Sequence, residues 1–155
     1  MKMRHPTYVF GEWAEKGKDI GMEKGHAIPV DEMINFAIKE RSNIGKQFSF
    51  LDLGCGSGWV VRKVATHDLC NKAVGIDGAA QMIANAKSRG SDEEYIHADI
   101  NLLNSEYKYD LIHSMEVLYY LEDPESIIKM ISDSWLNKNG RLIIGIDLYL
   151  SLIHI

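Results

Sequence analysis

The sequence predicts a single doubly wound α/β domain, a mostly parallel sheet between two helical layers (α/β/α), and three observations carry that expectation. Short apolar runs alternate with helical patterns along the chain. The runs are too apolar to leave one face to water, which is the mark of parallel strands covered on both sides. The first run, Phe48 to Leu53, ends in glycine at three alternate positions, Gly54, Gly56 and Gly58, before a new helical pattern opens. Such a turn can take positive φ and let a ligand approach where any Cβ would collide.

Taken in order, residues 1–28 are the exception. Tyr8, Phe10 and Trp13 precede Gly17, Gly21 and Gly25, a spacing that weakens a helix, so this stretch reads as a largely irregular arm or lid. From Val30, the apolar positions Met33, Ile34, Ala37 and Ile38 follow helical spacing behind Pro29, with Asp31 and Glu32 in the first turn. Phe48 to Leu53 is the first strand, and Trp59, Val60, Val61, Val64 and Ala65 give the next helix its buried face. Ala73 to Asp77 is a second strand, followed by an alanine-rich helix that turns Met82, Ile83 and Ala86 inward. A third strand is expected near Tyr95 to Ala98 and a fourth from Tyr109 to Ser114. A helix from Pro124 to Leu136 then buries Ile127, Ile128, Ile131 and Trp135, and an Asn139-Gly140 turn leads into a fifth strand from Arg141 to Asp147. The domain so defined spans residues 29–147, with 148–155 as a tail.

A chain of 155 residues, 46% hydrophobic and 25% charged, is long enough for one sizeable core. Its net charge of -5 gives no electrostatic case for a nucleic-acid or anionic-membrane surface. Cys55 and Cys70 make neither a disulfide framework nor a C-x-x-C metal pattern, and reduced thiols suit a cytoplasmic setting. No apolar segment follows Met1-Lys2-Met3-Arg4, so neither a signal peptide nor a membrane span is expected. The six histidines show no i, i+4 pairing, which leaves a metal site without support.

Gly54, Asp77, Asp99 and Ser114 all fall at the carboxyl ends of strands, where doubly wound sheets bind ligands. A phosphate loop needs G-x-x-x-x-G-K, yet no Lys or Arg lies between Leu51 and Val61, which disfavours a nucleoside triphosphate. A dinucleotide fingerprint needs G-x-G-x-x-G, and here the last glycine stands one residue too close. Asp77 can accept both hydroxyls of a ribose, which points to an adenosine-like ligand with no required phosphate.

Phe50-Leu51-Asp52-Leu53-Gly54-Cys55-Gly56-Ser57-Gly58 resembles the first motif of the class I S-adenosylmethionine-dependent methyltransferases. Val74-Gly75-Ile76-Asp77 resembles their second motif, Ala98-Asp99 their third, and Met115 to Pro124 the segment after strand four of the small-molecule members. The resemblance implies a Rossmann-like sheet in the order 3-2-1-4-5-7-6, S-adenosylmethionine as donor, S-adenosylhomocysteine as product and a small-molecule acceptor. It further implies that Gly54, Gly56 and Gly58, with Cys55 in the same loop, approach the methionyl and ribose parts, and that Asp52 orients the methionine amino group. Asp77 would take the ribose hydroxyls and Asp99 the adenine amino group, with Gly78 and Ile100 flanking the ring and Met82 beside it. Ser114 and Met115 would stand near the transferable methyl, while Trp13 and the Gly21 to His26 stretch would close over the donor. Some relatives hold a divalent metal with Glu-x-x-Glu-His; Glu116-Val117-Leu118-Tyr119-Tyr120 lacks two of those ligands, so no metal is expected.

Methyl transfer asks chiefly for an in-line nucleophile and exclusion of water, so no catalytic residue is obligatory. Tyr8, Trp13 or Tyr119 could face the sulfonium, and Glu116, Tyr120 or His26 are candidate bases. Each has a plainer reading. The glycine run could be a bare turn, Asp77 a helix cap, and Asp99 the start of a turn. His113 reads as a hydrogen-bonded core residue, Glu116 as an ion-paired or solvated group, Tyr119 and Tyr120 as packing, and Met115 and Trp59 as core. Nothing marks Cys55 as a nucleophile.

Only five strands are countable, so the chain is expected to be the N-terminal part of a longer protein, its last six or so residues foreign reading-frame sequence. The expected function is methyl transfer to a small molecule. Methylation of a protein or RNA acceptor, and a non-catalytic S-adenosylmethionine-binding regulatory domain, are the alternatives; nothing in the sequence sets the oligomeric state.

Overall fold

The structure, a computed structural model, describes residues 5–147. The expectations for the tail, 148–155, lie outside the described residues.

The N-terminal stretch is helical, which corrects the expectation of an irregular arm. Helix α1 covers Pro6–Glu15 and α2 covers Asp19–Ile44, so residue 29 lies inside a helix rather than at its start. Tertiary contacts override the glycine-weakened propensity. Asp19 is buried and paired with Arg89 at 2.7 Å, and Asn85 Nδ2 donates to the Ala14 carbonyl at 3.3 Å. Pro29 forfeits one helical hydrogen bond, to the Gly25 carbonyl, without ending the helix. The helix stops at Gly45, whose φ of 70° lets its N–H donate to both the Arg41 and Ser42 carbonyls.

Strands β1 (Phe48–Leu53), β2 (Cys70–Asp77), β3 (Glu94–His97), β4 (Tyr109–Met115) and β5 (Leu136–Gly145) form one sheet in the order β3-β2-β1-β4-β5. All four pairings are parallel. Helices α3 (Trp59–Ala65), α4 (Ala80–Arg89) and α5 (Pro124–Met130) connect them, along with 3₁₀ turns at Ile100–Leu102 and Leu118–Tyr120. The last helix starts where Asp123 accepts from the Ser126 N–H and Pro124 presets the first turn, and it widens into a π turn at Ile131–Trp135. Strand β5 begins earlier than expected, because Leu136 already pairs with Tyr109. Asn139 and Gly140 therefore sit in a register shift within the strand, Asn139 at φ 63°, its carbonyl accepting from Arg41 Nη2 at 2.9 Å.

Alternate residues of β1 feed two core layers. Phe48 and Phe50, with Leu111, pack under Val30, Ile34, Val60, Val61, Ile83 and Ala86 from α2, α3 and α4. Leu51 and Leu53, with Val74 and Ile112, pack against Ile127, Ile131 and Trp135 on the other face. The order reverses between β1 and β4, so the loops leaving these two strands part and open a cleft above their carboxyl ends. Among the described residues, no helix is long and apolar enough to cross a membrane.

Candidate functional site

The cleft encloses about 300 Å³ between the strand ends on one side and α1 with the first turns of α2 on the other. Gly56 lies on its wall at φ 52°, and a Cβ there would meet only the Met82 sulfur, at 4.0 Å, so it would stand in open cleft. Gly58 works differently. At φ 78° it precedes α3, and a Cβ would come within 2.5 Å of the Tyr95 ring, so it serves packing and does not line the cleft. Ser114 is placed similarly: its hydroxyl donates to the Leu53 carbonyl at 3.0 Å, and it lines a small apolar cavity beneath α5.

Asp77 joins the glycine loop to β2. Its Oδ2 accepts from the Gly56 N–H at 2.9 Å and its Oδ1 from the Ala79 N–H at 2.8 Å. Burial pushes its carboxyl above the ordinary range, against the lowering by those two amides. Ala79, not Asp77, is the cap residue of α4. Asp99 does begin a turn, accepting from the Asn101 N–H at 2.9 Å, and it lines the cleft with Ile100 and Gly78.

Deeper in, Asp52 and His113 are paired across β1 and β4 at 2.7 Å, Asp52 Oδ1 to Nδ1. His113 is 1% exposed and is thus the core residue expected, yet it also lines the cleft, and its Nε2 has no hydrogen-bond partner. A carboxylate can only accept, so Nδ1 donates its proton toward Asp52, and Nε2 is left without a partner. Asp19 is a second cleft residue in this condition. Its Oδ2 takes the Arg89 guanidinium, while Oδ1 is buried without a partner. Nothing in Lys16-Gly17-Lys18-Asp19 sets this carboxylate apart from a loop residue, and sequence reasoning missed it.

The mouth is made of side chains from separate elements. Phe10 meets Trp13 edge-on at 5.5 Å and Tyr120 at 5.3 Å, and Tyr119 and Tyr120 lie 4.4 Å apart, so Tyr120 is a wall of the cleft. Glu116, at φ 59°, accepts from the Tyr119 hydroxyl at 2.5 Å and from the Asp147 N–H. Burial and that carboxylate push the Tyr119 hydroxyl far above its ordinary range. His26 Nε2 lies 3.5 Å from Asp147 Oδ2, and ligand atoms of His26, Glu116 and Asp147 fall within 4.8 Å of one another. That grouping, close enough to share a cation, is invisible in the Glu116 to Tyr120 segment alone. Trp13, Asp52, Gly54, Cys55, Met82, Met115 and Val117 also line the cleft, and burial pushes the Cys55 thiol well up.

Residues 51–144 match the family described as a methyltransferase domain. Nodulation protein S of Sinorhizobium fredii is 31% identical over 100 residues, 61% of this chain and 45% of that protein. The ubiquinone biosynthesis O-methyltransferase of Pelagibacter ubique is 30% identical over 115 residues, 72% of this chain and 47% of that protein. The chain thus spans about half the length of these curated relatives. A solved complex between the Haloferax volcanii Trm112 methyltransferase activator and a methyltransferase contains a chain that superposes with a TM-score of 0.72 at 25% identity. The match covers 99% of this chain and 65% of that one. With a five-stranded parallel sheet in the order β3-β2-β1-β4-β5 and the family match over most of it, the chain belongs to the class I S-adenosylmethionine-dependent methyltransferases.

Proposed function

We propose that the chain binds S-adenosylmethionine in this cleft and transfers its methyl group to a small-molecule acceptor. The observation that carries this reading is Asp77. Two backbone amides fix its carboxylate at the cleft wall, and its remaining lone pairs suit the two hydroxyls of a ribose. Asp99 and Ile100 next to it suit an adenine ring and its amino group. The amino-acid end of the donor suits Asp19, whose buried Oδ1 otherwise bears the cost of burial without a hydrogen bond and can accept from an ammonium. None of the described residues lining the cleft is Lys or Arg, which argues against the pyrophosphate of a dinucleotide and against the phosphate backbone of RNA.

When bound, the donor supplies a methyl on a positively charged sulfur that leaves readily. The residues of this chain hold and orient the partners. Asp77 with Gly56 fixes the nucleoside, the Asp52–His113 pair fixes the floor, and Phe10, Trp13 and Tyr120 wall the mouth against water. Such positioning can lower a barrier by roughly 7 to 11 kcal/mol.

The test is calorimetric titration with S-adenosylhomocysteine. The wild-type chain is expected to bind it, and Asp77→Ala to bind it about 10- to 100-fold more weakly, the range for losing hydrogen bonds to a charged group. Equal affinity in the two proteins would overturn the reading.

A further inference from the structure

We propose that the methyl acceptor is an amine, met at the mouth as an ammonium ion and deprotonated by His26. This rests on the donor reading above and adds the acceptor class to it. Six carboxylates line the cleft, Asp19, Glu23, Asp52, Asp77, Asp99 and Glu116, and no described lining residue is Lys or Arg. One of them, Asp19, keeps a buried oxygen, Oδ1, without a partner. Among the described residues the lining is therefore rich in carboxylates and carries no Lys or Arg side chain. A carboxylate, phosphate or phenolate acceptor would add charge of the wrong sign.

The donor residues occupy the ends of β1, β2 and β3. Beyond them, the mouth offers the rings of Phe10, Trp13, Tyr119 and Tyr120, with the Glu116 carboxylate hydrogen-bonded to Tyr119 and Glu23 also in the lining. Aromatic faces with carboxylates are the surroundings that attract an organic cation. An ammonium has no lone pair, so it must lose a proton before it can attack. His26 lines this mouth, with Asp147 Oδ2 3.5 Å from its Nε2 and Glu116 in the same group, carboxylates that stabilise the ring once it is protonated.

The chemistry balances as follows. One ammonium proton passes to His26 and on to solvent. The freed nitrogen lone pair forms the new N–C bond while the C–S bond breaks and leaves its electron pair on sulfur. The products are an N-methylammonium, neutral S-adenosylhomocysteine and one released proton.

The experiment incubates the full chain with S-adenosylmethionine and three separate pools of small acceptors: primary amines, alcohols with phenols, and carboxylates. Methylated products are read by mass, and S-adenosylhomocysteine binding is measured on the same preparation. N-methyl products from the amine pool alone are expected. For the acceptor so found, His26→Gln should lower kcat by about 100-fold while KM stays within about two-fold, the signature of a lost general base. Transfer should persist in EDTA. Products only from the other pools, no product from the amine pool, an unchanged kcat in His26→Gln, or transfer that requires added Mn²⁺ at the His26, Glu116 and Asp147 group would each overturn the proposal. If S-adenosylhomocysteine still binds in those cases, the donor reading survives; if it does not bind, the donor reading itself has failed.

Discussion

The two ends of the cleft are held by different means. At the end proposed to hold the donor, two carboxylates are fixed by backbone: Asp77 by the Gly56 and Ala79 amides, and Asp99 by the Asn101 amide. At the mouth, side chains fix one another, as in the Phe10, Trp13 and Tyr120 ring contacts and the Glu116–Tyr119 hydrogen bond. Between them, the Asp52–His113 floor is buried, at 3% and 1% exposed, whereas Trp13, Tyr120 and Tyr119 at the mouth are 36%, 42% and 47% exposed. A backbone-fixed site keeps its geometry when one neighbour is changed. A site built from side chains on four elements can be altered piece by piece, which suits a donor held constant and an acceptor that differs among relatives.

The comparison can be broken most severely at the floor. Asp52→Ala removes one partner of a buried pair and strands the His113 ring, and it should cost about 3 kcal/mol of stability in denaturant melts. A cost below about 1 kcal/mol would mean that the pair is not holding β1 and β4 together. Asp19→Asn should act on the ligand rather than the fold. It should weaken S-adenosylhomocysteine by about ten-fold but leave 5′-methylthioadenosine, which lacks the amino-acid end, unchanged. Equal weakening of both ligands would return Asp19 to a structural role with Arg89. Tyr120→Ala at the mouth should leave S-adenosylhomocysteine affinity within about five-fold, since an exposed ring edge contributes about 1 kcal/mol or less; a larger loss would make the wall part of the donor site.

The smallest effect belongs to the clamp between α2 and β5, where Arg141 is paired with Glu40. The Arg141 guanidinium holds the Glu40 carboxyl below its ordinary value of 4.5. A lowered carboxyl contributes stability that is present above 4.5 and is lost as pH falls through the folded value. Both side chains are partly exposed, so Glu40→Gln should cost under about 1 kcal/mol at pH 7 and nothing in acid, in melts at the two pH values.

The same difference explains what could be read in advance. Strand ends, the glycine loop, Asp77 and Asp99 are written locally: apolar runs, φ-permissive glycines and acids at fixed offsets carry them. Asp19, His113 as a lining residue, and the meeting of His26 with Glu116 and Asp147 depend on which elements pack together, and residues 121 positions apart leave no local signal. The helical N-terminus was hidden for a related reason. Gly21, Gly25 and Pro29 argue against a helix residue by residue, and only burial of Asp19 and Val30 against the domain outweighs them. Gly58 and Ser114 show the opposite limit: the motif marks their positions, while only the packing shows a Tyr95 contact at one and a hydrogen bond to the Leu53 carbonyl at the other.

The most direct test of the central claim is calorimetry of the wild-type chain with S-adenosylhomocysteine, S-adenosylmethionine and NAD in parallel. Saturable binding of both sulfur nucleosides, and none of NAD, is the expected result. Binding of NAD with no response to either sulfur nucleoside would contradict it.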